Sequence, residues 1–135
     1  MSGYRRISSY VAADRRGSAA IEFALLCPFL FLLIIGFAQV GILFIANAGL
    51  RHAVGEGSRY ATIYPSPTDA QVIELMRSKR FGLNPAYIVE ETVVRGKDTG
   101  VSYAELTASY AVPLNFFFFK GPSVKLRVSR RAYFP

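Results

Sequence analysis

Apolar and polar positions divide this chain into stretches of different rhythm. From Phe23 to Leu50 there is no Asp, Glu, Lys, Arg or His, a run of 28 residues. Leu, Ile and Phe are densest between Leu25 and Phe37, and Gln39 and Asn47 are the strongly polar interruptions. A bilayer core about 30 Å thick takes roughly 20 apolar residues as a helix. The apolar region of a cleaved secretory signal is shorter, about 7–15 residues. The run therefore predicts one transmembrane helix. Pro28 lies inside it and removes one intrahelical hydrogen bond, which membrane helices tolerate where neighbouring groups repair the gap.

Beyond the run the pattern becomes amphipathic. Leu50, Val54, Ala61 and Tyr64, with Gly57 filling the place between, follow steps of four and three that mark one helix face. From Ser18 to about Tyr60 such a helix measures roughly 65 Å at 1.5 Å per residue. That is about twice the hydrocarbon thickness, so its outer half is expected to form a stem. Gly41, Gly49, Ala53, Gly57 and Ala61 share an i, i+4 row in which Ile45 is the one large member. Small residues on one row let another helix approach closely. The row suits either a seam to another subunit or a groove for the chain's own C-terminal part. Each helical Gly costs about 1 kcal/mol relative to Ala, so close packing of some kind should offset Gly49, Gly55 and Gly57. His52 and Glu56 are also four apart, but there is no second His. A solvated i, i+4 pair is expected there rather than a metal site.

Two prolines in Tyr64–Thr68 end the stem. Ser66 suits an N-cap with Pro67 at the first helical position. Val72, Ile73, Leu75 and Met76 then predict a short amphipathic helix ending near Lys79 and Arg80, followed by a loop over Phe81–Pro85. The remainder reads as strands: Tyr87–Arg95, a turn over Gly96–Gly100, and a strand from Val101. In that strand Ala104, Leu106, Ala108, Tyr110, Val112 and Leu114 alternate onto one face. In a last strand Val124, Leu126 and Val128 alternate with Lys125, Arg127 and Ser129. The expected fold is α+β, a long N-terminal helix (transmembrane half plus stem) with a small three-stranded antiparallel sheet packed on the stem. The expected segments are a leader over 1–17, the helix over 18–62 and a small α+β domain over 63–135. Four consecutive aromatics, Phe116, Phe117, Phe118 and Phe119, cannot all face one core in a strand. They form either an exposed patch for a partner or the membrane surface, or a loop whose rings plug both ends of a small core.

Charge adds direction. The 135 residues hold 16 Lys+Arg against 9 Asp+Glu, a net charge of +7, with 52% hydrophobic and 19% charged residues. Arg5, Arg6, Arg15 and Arg16, offset by Asp14, give +3 before the span; Arg51, Glu56 and Arg59 give +1 over the same length after it. The positive-inside rule places the N-terminus in the cytoplasm and the C-terminal part across the membrane. The basic charge thus reads as topology rather than nucleic-acid binding, and no basic stripe with interleaved aromatics occurs elsewhere. One Cys and one His exclude an internal disulfide framework and a Cys/His zinc cluster. Cys27 is inside the run and His52 stands alone, so no Ser/His/Asp or Cys/His set is available outside the bilayer. Glu90 and Glu91 point to opposite faces of their strand. No enzyme activity, cofactor or metal is expected.

Glu22 sits at the start of the apolar run, where a carboxylate is costly and calls for a partner. A first-turn Glu favoured by the helix dipole is the plain explanation. Read together, Arg15-Arg16-Gly17-Ser18-Ala19-Ala20-Ile21-Glu22-Phe23 resembles a class III leader-peptidase site: a basic leader ending in Gly, four residues, then Glu and an aromatic. With Ala24–Pro28, Gly36–Gly41 and Ala53–Ala61, the chain resembles the TadE-like minor pseudopilins of tight-adherence (type IVb) pilus systems. The resemblance implies cleavage between Gly17 and Ser18 by a prepilin peptidase at the cytoplasmic face of a bacterial inner membrane. Arg15 and Arg16 would hold the site at anionic lipid. It implies that Glu22, followed by Phe23, pairs with the freed N-terminal amine of a neighbouring subunit. Implied partners are other pilin and pseudopilin subunits, the peptidase, the inner-membrane assembly platform and the lipid bilayer. An uncleaved membrane-anchored binding module of the cell envelope is the alternative.

Overall fold

A computed structural model describes residues 15–116 and 119–134. Residues 1–14, with Arg5, Arg6 and Asp14, together with Phe117, Phe118, Pro135 and the side chains of Arg15 and Arg16, lie outside the described residues. Helix α1 spans Arg15–Ala61 and runs through Pro28. Helix α2 spans Asp69–Lys79, and a 3₁₀ turn covers Pro85–Tyr87. Strands β1 (Ile88–Asp98), β2 (Val101–Phe116) and β3 (Phe119–Phe134) form an antiparallel sheet in the order β1-β2-β3. The class is α+β, as the pattern predicts.

The chain divides between Phe37 and Ala38 into two compact units. In the first, α1 is apolar on every face: the consecutive residues Leu30, Phe31, Leu32 and Leu33, which step round the helix by 100° each, are all exposed. A helix hydrophobic all round belongs in a core or a membrane. Among the described residues one helix is long and apolar enough to cross a bilayer, and it is the candidate membrane anchor.

The second unit holds the core. Ala46, Leu50, Ala53, Val54 and Ala61 of α1 meet Val72 and Met76 of α2 and the inner face of β2, where Ala104, Leu106, Ala108, Tyr110 and Val112 alternate inward. Every second residue of β2 reaches this core because strand side chains alternate between faces. The stem face begins earlier than the pattern implies, at Ala46, and stops at Ala61. Tyr64 is 94% exposed, because α1 ends before it and its helical position no longer exists.

Several boundaries differ from those read in the sequence. Helix α2 is capped by Thr68 rather than Ser66. The Thr68 hydroxyl accepts from the Gln71 N–H (3.3 Å) and the Gln71 side chain accepts from the Thr68 N–H (2.9 Å), a reciprocal capping box. Asp69, in the first turn, takes Arg95 at 2.6 Å, and the Pro67 carbonyl accepts from the same guanidinium. The expected turn over Gly96–Gly100 shrinks to Thr99-Gly100, both at positive φ (51° and 88°), as a tight two-residue hairpin requires. Gly96 stays in β1, where it makes room for the Tyr103 ring opposite. The last strand is longer than Val124–Ser129: pairing with β2 extends from Phe119 to Phe134.

Candidate assembly site

At the head of the anchor, Gly17 and Ser18 are both helical and exposed, since α1 begins at Arg15. This start corrects one expectation. Glu22 stands beyond the first turn, which contains no acidic residue, so a first-turn dipole contact does not account for it. Among the described residues its hydrogen-bond partner is Ser18, whose hydroxyl donates to Glu22 Oε1 at 3.3 Å. One hydroxyl satisfies a small part of a carboxylate's accepting capacity. Phe23 beside it is 63% exposed. The head of the anchor therefore presents an acid and an aromatic, neither covered by this chain's described residues.

The row of small residues is shared between two uses. Ala53 and Ala61 are buried, and a Cβ on Gly57 would press on Met76 and Leu106. A Cβ on Gly49 would overlap the Phe81 carbonyl. From Gly49 onward the row is thus a groove filled by the chain's own domain, and the close approach offsets the helix cost of glycine at 49 and 57. Ile45 meets Gly82, whose φ of +64° lets the backbone turn past it. Gly41 has nothing within 4 Å.

His52 and Glu56 do not form the expected pair. The imidazole lies 5.7 Å from the Phe81 ring, and Glu56 instead pairs with Arg59 at 3.5 Å. The loop carrying Phe81 comes to the stem because Gly49 admits it, and this brings an aromatic partner to His52.

At the far end of the β2–β3 hairpin the rings of Phe116 and Phe119 stack at 4.8 Å, paired across the strand ends. Phe119 is 58% exposed. These two rings do not plug the core, and the loop that the second reading required is replaced by strand on either side. The hairpin is pinned to the stem, because the Gln39 side-chain amide donates to the Asn115 carbonyl at 2.8 Å. Gln39 stands out in the sequence as an interruption of the apolar run; its distant partner has no sequence signal.

Polar contacts that the sequence pattern does not reveal hold α2 to β1. Glu91, its side chain 10% exposed, accepts from Arg77 at 2.8 Å and from Arg80 at 2.9 Å. Bonding to Glu91 pushes the Arg77 guanidinium above its ordinary range. Glu90, one residue away, faces the opposite side of the sheet, opposite Ser109. On that outer side Arg131 donates to Glu105 at 2.8 Å and Ser129 donates to it at 3.0 Å. The Arg131 bond first, and the Ser129 bond second, hold the Glu105 carboxyl below the usual range.

Residues 17–59 match the model of a family described as TadE-like protein. The matched segment opens at the Gly17–Ser18 junction, includes Glu22 and Phe23, and ends on the packed stem. The match agrees with the resemblance read from those residues. Neither the curated proteins nor the solved structures contain a match.

Proposed function

We propose that this chain is a minor pseudopilin, a non-enzymatic subunit that joins or primes a tight-adherence pilus after a prepilin peptidase cuts between Gly17 and Ser18. The observation that carries the reading is Glu22: exposed at the head of an all-apolar helix, inside the matched segment, with a single hydroxyl from Ser18 as its described partner. Cleavage would make Ser18 the chain start and create an ammonium four residues from that carboxylate. In an assembly the amine of one subunit meets Glu22 of the next, and two charges about 4 Å apart attract far more strongly in hydrocarbon than in water. Arg15 and Arg16 keep the junction at the cytoplasmic surface, and the C-terminal domain lies in the periplasm. Gly17 lowers the cost of opening the helix for the protease, since glycine disfavours helix by about 1 kcal/mol. The partners are the peptidase, other pilin and pseudopilin subunits and the assembly platform.

A second reading, an uncleaved anchor carrying a binding module, draws support from the helical state of Gly17 and Ser18, because a protease must first unwind them. Glu22→Ala separates the two in cells. The pilin reading expects normal membrane insertion and loss of piliation. Piliation at the wild-type level would remove the proposed pairing.

A further inference from the structure

The stacked rings of Phe116 and Phe119 at the hairpin tip and the stem residues at their level present apolar groups that the proposed processing does not use. Gln39 fixes the tip's height, through its bond to Asn115. The first charged residue after Phe23 is Arg51, twelve residues beyond Gln39, or about 18 Å along the helix. The tip is thus held beside a part of the stem where no charge occurs. Around it Val40, Ile42 and Phe44 are 46–70% exposed. At 100° per residue these three positions span an arc of about 200°, twice the roughly 100° stripe that one packed neighbour covers. An arc that wide suits lipid on several sides better than a single protein seam. Phe119, stacked on Phe116, adds an exposed ring. The next residue, Lys120, is exposed and pairs across the hairpin with Asn115. An aromatic followed by a lysine matches the headgroup boundary, where rings enter the acyl edge and an ammonium reaches anionic phosphates.

We infer that the β2–β3 hairpin tip is a membrane-interface wedge: Phe119, stacked on Phe116 and pinned through Asn115 to Gln39, enters the headgroup–acyl boundary of the bilayer that holds α1, with Lys120 at the phosphates. The wedge requires the anchor but not cleavage at Gly17. It would fix the domain's tilt against the membrane before any assembly begins, because a second attachment point removes rotation about the helix axis.

The sequence contains no Trp, so single Trp variants of the full chain report position without background. In vesicles of phosphatidylethanolamine and phosphatidylglycerol, Phe119→Trp is expected to emit at short wavelength. Lipids brominated near the top of the acyl chain should quench it, and aqueous iodide should not. Tyr64→Trp, in the exposed linker, should show the reverse, and Leu33→Trp should be quenched by deeply brominated lipid. Quenching of Phe119→Trp by iodide to the extent seen at Tyr64→Trp would overturn the inference, as would shielding from both quenchers, which marks a protein contact. If Leu33→Trp responds to lipid and Phe119→Trp does not, the wedge is wrong and the anchor stands. If neither responds, both are wrong.

Discussion

The carbonyl of Phe81 occupies the space that a Cβ on Gly49 would take. Backbone thus touches backbone between the stem and the loop after α2, and no side chain can move aside to make room. Gly49→Ala should destabilise the domain by about 1–3 kcal/mol through overpacking, although alanine favours helix by about 1 kcal/mol. Gly55→Ala is the matched control. Its Cβ would meet only the Arg130 guanidinium at an ordinary 3.5 Å, so it should gain roughly 0.5–1 kcal/mol from helix propensity alone. Thermal unfolding in detergent followed by circular dichroism checks both; an equal response would mean that the loop does not pack as described.

Glu91 joins α2 to β1 by receiving two arginines at once. Glu91→Ala leaves Arg80, only 18% exposed, without its acceptor. The expected loss is about 1–3 kcal/mol, the cost of stranding a largely buried charged donor. Glu91→Gln keeps one acceptor oxygen and should lose less. Amide exchange over Asp69–Lys79 should rise in Glu91→Ala while protection in β2 is retained. Uniform loss across the sheet would argue against a local clasp.

The acid response of the outer sheet face has a definite sign. Arg131 holds the Glu105 carboxyl below its ordinary value, so the folded chain releases that proton more readily than the unfolded chain. The resulting stability is complete above the ordinary carboxylate value and disappears as pH falls from there through the lowered one. Carbon-detected NMR of the Glu105 carboxyl should give a midpoint below that of a free glutamate, and Arg131→Met should raise it. A midpoint unmoved by Arg131→Met would show that the ion pair does not form in solution.

Much of this architecture was legible in residue order. The 28-residue uncharged run fixed the anchor, and alternation in Ala104–Val112 fixed the buried face of β2, because both signals are periodic and local. The stem from Leu50 to Ala61 was readable for the same reason. What was missed depends on contacts between distant segments. Thr68 rather than Ser66 caps α2 because Gln71 closes a reciprocal box with it, and Arg95, 26 residues past Asp69, ties the same turn to β1. His52 turns to Phe81 because Gly49 lets that loop approach. The aromatic run reads as a loop until the pairing of Asn115 with Lys120 and Phe116 with Phe119 shows strand on both sides. At the head of the anchor the sequence supplied the Gly17, Ser18, Glu22 and Phe23 pattern. It could not show that the helix already covers Gly17 and Ser18.

The most direct test of the account is the chemical identity of the mature chain start. Intact-mass and N-terminal peptide analysis of the protein, taken from cells that possess the prepilin peptidase and from cells that lack it, decides the matter. The account predicts a chain beginning at Ser18 in the first and an uncut Gly17–Ser18 bond in the second. An uncut bond in piliated cells that possess the peptidase would contradict it.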